Sequence, residues 1–153
     1  MEPSRAGQLG VLCLDASFLV NALTAKLTDE HEALWVSWLA AERPLIAPRL
    51  ARYEVANALH KGRRKGRIDE PLVQRTMRDL IMVPISYMDD DALPFEALAL
   101  ADELGMPASY NAHYVALAAR YGAELWTSDH GLWSAASSRY QWVHYAPERP
   151  PNV

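Results

Sequence analysis

The alternation of short apolar runs with longer stretches of helical periodicity is the feature that most constrains this fold. Each apolar run is too short for a helix and is bounded by polar or turn residues, which is typical of a buried strand. A strand, a helix and another strand in succession build a parallel βαβ unit, so the pattern predicts an α/β protein with a parallel sheet. The predicted strands are residues 11–14, 45–46, 82–85, 124–127 and 141–144.

Helical periodicity fills the segments between these strands. Pro48 is expected in the first turn of one helix, where a missing N–H has no cost. Ser109 is expected to cap another helix, and Gly105 and Gly122 are expected to end theirs. The predicted helices are residues 17–25, 29–41, 49–64, 69–80, 91–104, 110–121 and 129–137.

The overall composition predicts one globular domain spanning residues 1–153, with a flexible leader at 1–9 and a flexible tail at 146–153. No apolar stretch approaches the roughly 20 residues that a membrane span needs. The single Cys13 indicates a reducing compartment, and together with the absence of a signal-like segment it predicts a cytoplasmic protein. The formal charge of −4 excludes a uniformly basic nucleic-acid-binding surface.

Two aspartates follow predicted strands. Asp15 comes directly after the first strand, and Asp129 comes shortly after the fourth. Because ligands of parallel α/β sheets bind beyond the carboxyl ends of the strands, both are candidate site residues. Each could equally be an ordinary helix N-cap, since aspartate is a preferred cap residue.

Two helical residues extend the candidate site. Glu54 lies at the border of an apolar helix stripe and near the same end of the fold, although a solvated surface glutamate is the alternative. Asn111 lies in the first turn of its helix, where an aspartate would be favoured by the helix dipole. If these groups converge, their oxygens suit Mg²⁺ or Mn²⁺ rather than zinc. His113 and His130 adjoin site candidates and could help to position a substrate, whereas Trp126, Trp133 and Trp142 are expected to be packing residues.

A basic cluster follows Glu54 at the end of the same predicted helix, and Lys61, Arg63 and Arg64 are its candidate RNA-binding residues. Cations at a helix C-terminus are favoured by the dipole, so a solvated helix end is one interpretation. A patch that binds RNA phosphates is the other. The sequence leaves these two interpretations open.

Four segments together carry a family resemblance. They are residues 12–23 (LCLDASFLVNAL), 48–59 with Tyr53-Glu54-Val55-Ala56-Asn57-Ala58-Leu59, 109–118 (SYNAHYVALA) and 125–129 (LWTSD). In order and spacing they resemble the acidic motifs of PIN-domain ribonucleases, especially the VapC toxins of bacterial toxin–antitoxin pairs. The family usually has an aspartate where this chain has Asn111.

The resemblance implies a three-layer α/β/α sandwich around a parallel sheet of about five strands. It also implies a metal-dependent endoribonuclease, with Asp15, Glu54, Asn111 and Asp129 as catalytic positions. By analogy, Asp15, Glu54 and Asp129 would hold Mg²⁺ or Mn²⁺, with Ser17 and Ser128 as polar support. The implied partners are RNA, a VapB-like antitoxin and a second copy of the chain in a homodimer. Trp35 and Trp38 are expected in the core, with an antitoxin groove as a secondary interpretation.

Asn111 leaves a second functional hypothesis open. The loss of one anionic ligand from a four-acid site predicts weaker metal binding. The chain could therefore be a weakened PIN domain that binds RNA or antitoxin without efficient cleavage. The acidic run Asp89-Asp90-Asp91 suggests a receiver-like signalling domain, but the paired acids and late lysine of a receiver are missing.

Overall fold

The centre of the molecule is a five-stranded parallel sheet with the strand order β3-β2-β1-β4-β5. The computed structural model describes residues 10–151, so the predicted leader at 1–9 lies outside the described residues. The strands are β1 (Leu12–Leu14), β2 (Leu45–Pro48), β3 (Ile85–Met88), β4 (Glu124–Thr127) and β5 (Val143–Tyr145). The helices are α1 (Ala16–Leu23), α2 (Asp29–Ala40), α3 (Leu50–Arg64), α4 (Glu70–Met82), α5 (Ala92–Glu103), α6 (Tyr110–Tyr121) and α7 (His130–Ala136).

The connections place the helices in two layers. Starting from β1, the chain adds β2 and then β3 toward one edge of the sheet, and it later adds β4 and β5 toward the other edge. Since parallel crossovers are right-handed, α1–α4 cover one face and α5–α7 cover the opposite face. In agreement, α1 packs on α3 and α4, and α6 packs on α5 and on three strands. The predicted α/β/α sandwich is confirmed.

The core lies mostly around the central strand. All three residues of β1 are fully buried, because helices cover both faces of the sheet. Phe18 packs against Trp35 and Trp38, which are 4% and 5% exposed. These two tryptophans are therefore core residues, and they offer little surface to an antitoxin.

Three local predictions are wrong: two concern where an element begins or ends, and the third concerns a helix cap. Pro48 ends β2 instead of opening α3, and the helix begins at Leu50. In β2, only Leu45 and Ile46 pair with β1, whereas Pro48 pairs with Met88 of β3 alone. Pro48 therefore lies beyond the ladder between β1 and β2, where its missing N–H costs little. The third strand is β3 at Ile85–Met88 rather than 82–85, because α4 continues to Met82.

Ser109 stands at the N-cap of α6 but makes no capping hydrogen bond with its side chain. Its backbone is already helical there, which removes the extended conformation that a capping side chain needs. Its carbonyl oxygen instead lies 2.7 Å from Nδ1 of His113.

The C-terminal segment packs on the domain. Ala146 is fully buried, and its N–H donates a hydrogen bond to the carbonyl oxygen of Thr127. Leu27 and Glu148 form an antiparallel bridge, and the Arg149 N–H donates to the Lys26 carbonyl oxygen. The prediction of a flexible tail from Ala146 onward does not fit this arrangement. No helix within residues 10–151 is both long and apolar enough to cross a bilayer.

Candidate active site

The four predicted site positions lie at one edge of the sheet. Asp15 follows β1 and Asp129 follows β4, and these two strands are neighbours. Glu54 lies in the second turn of α3, and Asn111 lies in the first turn of α6. The strand order reverses direction between the neighbouring strands β1 and β4. The carboxyl ends of these two strands are therefore the topological switch point, where open α/β sheets bind ligands.

Asp15 is the most buried acid of the site, with 3% of its surface exposed. Its Oδ1 accepts hydrogen bonds from Ser17 Oγ at 2.7 Å and from the Phe18 N–H at 2.8 Å. Its Oδ2 accepts one from Thr127 Oγ1 at 2.5 Å. Desolvation by burial raises the pKa of Asp15 to about 6, and the charge of Asp129 adds to this effect. The three hydrogen bonds oppose the rise in pKa but do not cancel it.

The hydroxyl groups of Thr127 and Ser17 support Asp15, and Ser128 adjoins them through its backbone. Thr127 Oγ1 donates to Asp15 and accepts from the Asp129 N–H at 2.9 Å, so it links the two acids. Ser17 Oγ accepts from the Ser128 N–H at 2.9 Å. The Ser128 hydroxyl oxygen is buried and has no hydrogen-bond partner among residues 10–151. A buried hydroxyl without a partner is costly, and this one belongs to the turn between β4 and Asp129.

Asp129 both caps α7 and contacts Asn111. Its Oδ1 accepts from the N–H groups of Gly131 and Leu132, so the expected N-cap role is real. Asp15 likewise caps α1 through Phe18. The Oδ2 of Asp129 lies 3.4 Å from Nδ2 of Asn111, which donates a long hydrogen bond. An aspartate at position 111 would replace this donor with a second negative charge.

Glu54 is tied to α6 by a buried phenol. The hydroxyl of Tyr114 donates to Glu54 Oε1 at 2.5 Å, and Tyr114 is only 1% exposed. Burial strongly raises the pKa of Tyr114, and the charges of Glu54 and Asp15 raise it further. Tyr114 therefore stays protonated, and it is a hydrogen-bond donor that lies close to two acids of the site.

The acids do not form a closed metal cage. Within residues 10–151, no three His, Cys, Asp or Glu side chains come together as a potential metal-binding group. Their chemistry still fits a hard divalent cation, because the site offers carboxylate and amide oxygens. The buried charge of Asp15 and the unpaired Ser128 hydroxyl are further features that a cation would stabilise.

The basic cluster lies away from this site. Lys61 and Arg64 follow Glu54 on α3 by seven and ten residues, which is about 10 and 15 Å along the helix axis. Arg63 forms an ion pair with Glu70 at 3.3 Å. The structure does not bring these cations to the acids.

Two contributors had no role in the sequence-based prediction. Tyr114 stands three residues after Asn111 in a helix segment that is otherwise buried and apolar, and a buried tyrosine normally needs a partner for its hydroxyl. Thr127 is a polar residue at the end of a buried strand, two positions before Asp129. Both signals were present, but neither identifies the acid that the hydroxyl contacts.

The fold and the site define an open-sheet α/β protein with acidic side chains at its topological switch point. Residues 12–137 match the family model described as PIN domain. The chain belongs to the PIN domain family, whose members are generally nucleases and typically use divalent metals.

The solved structures that are similar to the chain include the following two. PAE2754 from Pyrobaculum aerophilum is 30% identical, with a TM-score of 0.62 over 82% of this chain and 86% of that protein. VapBC2 from Rickettsia felis, bound to a DNA fragment from its promoter, has a TM-score of 0.57 and 14% identity. This second match covers 82% of this chain and 93% of the other. No curated protein matches the chain significantly.

Proposed function

We propose that this chain is a divalent-metal-dependent endoribonuclease of the VapC toxin type, a hydrolase of RNA phosphodiester bonds. The observation that carries the proposal lies at the switch point of a PIN domain, where Thr127 Oγ1 donates to the Asp15 carboxylate and accepts from the backbone N–H of Asp129, so that the two acids are held close together. A buried acid that interacts with a second acid is an unfavourable arrangement that a cation would relieve.

Asp15, Glu54 and Asp129 would hold Mg²⁺ or Mn²⁺. When bound, the ion supplies an activated water and stabilises negative charge on the phosphodiester. Thr127 and Ser17 fix the orientation of the Asp15 carboxylate, and Tyr114 fixes that of Glu54. Asn111 offers a neutral oxygen and holds Asp129 through its amide N–H.

A weakened PIN domain that binds RNA or antitoxin is the second candidate function. Asn111 favours it, because the amide reduces the negative charge of the site by one and leaves three acids that do not cluster. An RNA cleavage assay distinguishes the two functions. Cleavage of structured RNA should need Mg²⁺ or Mn²⁺ and stop with chelator or with Asp15→Asn. Binding without cleavage under all these conditions supports the second function.

Asn111→Asp separates the two functions more sharply. The new carboxylate should tighten Mn²⁺ binding and raise the cleavage rate, each by about tenfold or more, because it adds a charged oxygen ligand. In chelator the same variant should be less stable than the wild type, since it loses the hydrogen bond to Asp129 and places two like charges together. Calorimetric Mn²⁺ titration and chemical denaturation measure the two effects. If neither metal affinity nor stability changes, Asn111 lies outside the site.

The partners also belong to the proposal. A VapB-like antitoxin is the protein partner to test, in keeping with the resemblance to VapC toxins. For the homodimer, we propose the outer face of α5, where Phe95 and Leu98 are 77% and 64% exposed one turn apart. A Phe95→Glu/Leu98→Glu variant should sediment as a monomer, whereas Val36→Glu on α2 should not change the association state. A cytoplasmic location remains a proposal based on the lone Cys13, which is buried.

A further inference from the structure

We infer that His130, Trp133 and Tyr145 form a nucleobase-stacking subsite beside Asp129, which binds an unpaired base of the RNA. This inference rests on the proposed nuclease function and names the form of its substrate. The three side chains are called the ring cluster below. None of them is an acid of the site, and two were not predicted to have a functional role.

The rings of the cluster contact one another. Trp133 and Tyr145 stack with their centroids 5.4 Å apart and an angle of 21° between the ring planes. His130 meets Trp133 at 5.6 Å and Tyr145 at 5.6 Å, with its ring steeply inclined to that of Tyr145. Together the three rings make a continuous aromatic surface.

Backbone connections place this surface next to the acids. His130 directly follows Asp129, and the Trp133 N–H donates to the carbonyl oxygen of Asp129. Tyr145 is the sheet partner of Thr127, whose hydroxyl contacts Asp15. Neighbouring strands lie about 4.8 Å apart, so Tyr145 of the ring cluster is one strand away from Thr127 and the acids that it contacts.

A second pair of rings in the same strands provides a contrast. Trp126 and His144, one residue earlier in each strand, stack at 4.7 Å on the opposite side of the sheet. Core residues Phe18 and Trp38 pack against Trp126, so we assign that pair a packing role. Trp126 and His144 are partly buried, as are Trp133 and Tyr145, but the ring cluster differs in that it includes an exposed ring, that of His130.

His130 has no evident structural task. Its side chain makes no hydrogen bond or ion pair within residues 10–151. An exposed aromatic surface beside an acidic site suits a nucleobase, because every base has a π face that stacks on aromatic side chains. Bases in a duplex are already stacked, whereas those of single strands and loops are free to do so.

The test compares two ligands that share a backbone charge and differ in their bases. The first is a labelled 12-nucleotide oligoadenylate, and the second is a labelled 12-residue abasic oligomer. Fluorescence anisotropy in chelator gives both dissociation constants without cleavage. Stacking contributes about 1–3 kcal/mol per base, which is about 5- to 140-fold in affinity. The wild type should therefore prefer oligoadenylate by at least about fivefold.

Three variants assign this preference to the ring cluster. His130→Ala changes an exposed side chain and should lower the preference without affecting the fold. The His130→Ala/Trp133→Leu double variant, which keeps apolar volume at position 133, should reduce the preference to near one. Tyr121→Ala is the matched control, because Tyr121 is an exposed ring at the C-terminal end of α6, the end opposite Asn111. It should keep the wild-type preference.

The possible failures are distinguishable. If the wild type cleaves RNA but binds both oligomers equally, the subsite is wrong and the nuclease proposal stands. The same conclusion follows if the double variant keeps the full preference for oligoadenylate. If the wild type neither binds nor cleaves RNA, both proposals are wrong.

Discussion

Asp15 combines a structural and a chemical role in one carboxylate. It caps α1 through the Phe18 N–H, and it is buried beside Asp129 with a pKa of about 6. The cap stabilises the fold, whereas burial of the charge destabilises it. The balance between the two therefore depends on pH and on any cation that binds.

We predict that this balance is visible in stability measurements. The pKa of Asp15 is higher in the folded state than its ordinary value of 3.8, so the folded protein binds more protons between these values. Stability must then fall as pH rises from about 4 to about 6, and stay lower above that. At about 1.36 kcal/mol per pKa unit, the loss reaches up to about 3 kcal/mol.

Asp15→Asn removes the titration of this carboxyl, while groups far from position 15 titrate equally in both proteins. In chelator, the free energy of unfolding of the wild type should drop relative to that of the variant between pH 4 and pH 6.5. Denaturant titrations at several pH values measure the difference. A difference that stays constant over this range contradicts the raised pKa.

Tyr114→Phe tests how far the orientation of Glu54 matters. The change removes only the hydroxyl that donates to Glu54 Oε1. Mutation of residues that orient metal ligands typically costs about 10–100-fold in metal affinity or activity, and we expect Mn²⁺ affinity to fall within that range. Tyr140→Phe is the matched control, since the Tyr140 ring stacks on Trp142 and its hydroxyl makes no hydrogen bond within residues 10–151. Equal Mn²⁺ affinities for both variants would show that the Tyr114 hydroxyl does not contribute to metal binding.

The sequence located the acids of the site better than the residues that support them. Asp15 and Asp129 are recognisable because they follow strands, and Glu54 because of its motif. The partner of a buried hydroxyl depends on contacts over long sequence separations. Thr127 and Asp15 are 112 positions apart, and Tyr114 and Glu54 are 60 apart. Local periodicity contains no information about such pairs.

Among the elements, α6 is the one that organises the site. It carries Asn111 in its first turn and Tyr114 at the start of its second, and it packs against β1, β2 and β4. Its bounds at residues 110–121 and its end at Gly122 match the sequence prediction. By contrast, β3 is shifted because the run from Ile81 to Ile85 suits either a helix end or a strand.

Gly122 sets the end of α6, and its substitution should be costly. The residue has a φ of 59°, a left-handed conformation that costs roughly 1–2 kcal/mol for a residue with a Cβ. Gly122→Ala should lower the free energy of unfolding by about that amount. Gly122→Asn should lower it less, because asparagine tolerates this conformation at a helix end. Equal losses in chemical denaturation would argue against backbone strain as the cause.

At the scale of the whole molecule, the protein is acidic but carries a local group of positive charges at the end of α3. The formal charge is −4, yet Lys61 and Arg64 at the end of α3 are exposed and make no ion pair within residues 10–151. Their position about 10–15 Å beyond Glu54 suits contacts to nucleotides that flank the cleaved bond.

We predict that these two cations contribute to the salt dependence of RNA binding. Each lost contact between a cation and a phosphate should lower the slope of log affinity against log salt by about 0.7 for a single strand. A Lys61→Ala/Arg64→Ala variant should therefore show a slope smaller by about 1.4. The control is Arg75→Ala/Arg78→Ala on α4, which removes the same charge elsewhere. If both variants have the same slope, the cluster at the end of α3 is an ordinary solvated helix end.

The hydrogen bond between Thr127 and Asp15 also has a consequence for synthesis of the chain on the ribosome. Strand β4 pairs with β1, and β5 follows β4 in the chain, so β1 is an open edge of the sheet until residues 124–127 have emerged. Until then Asp15 lacks its hydroxyl partner, and Asp129 does not yet exist. We therefore expect that a nascent chain gains any nuclease activity only after residues 124–129 have left the ribosome.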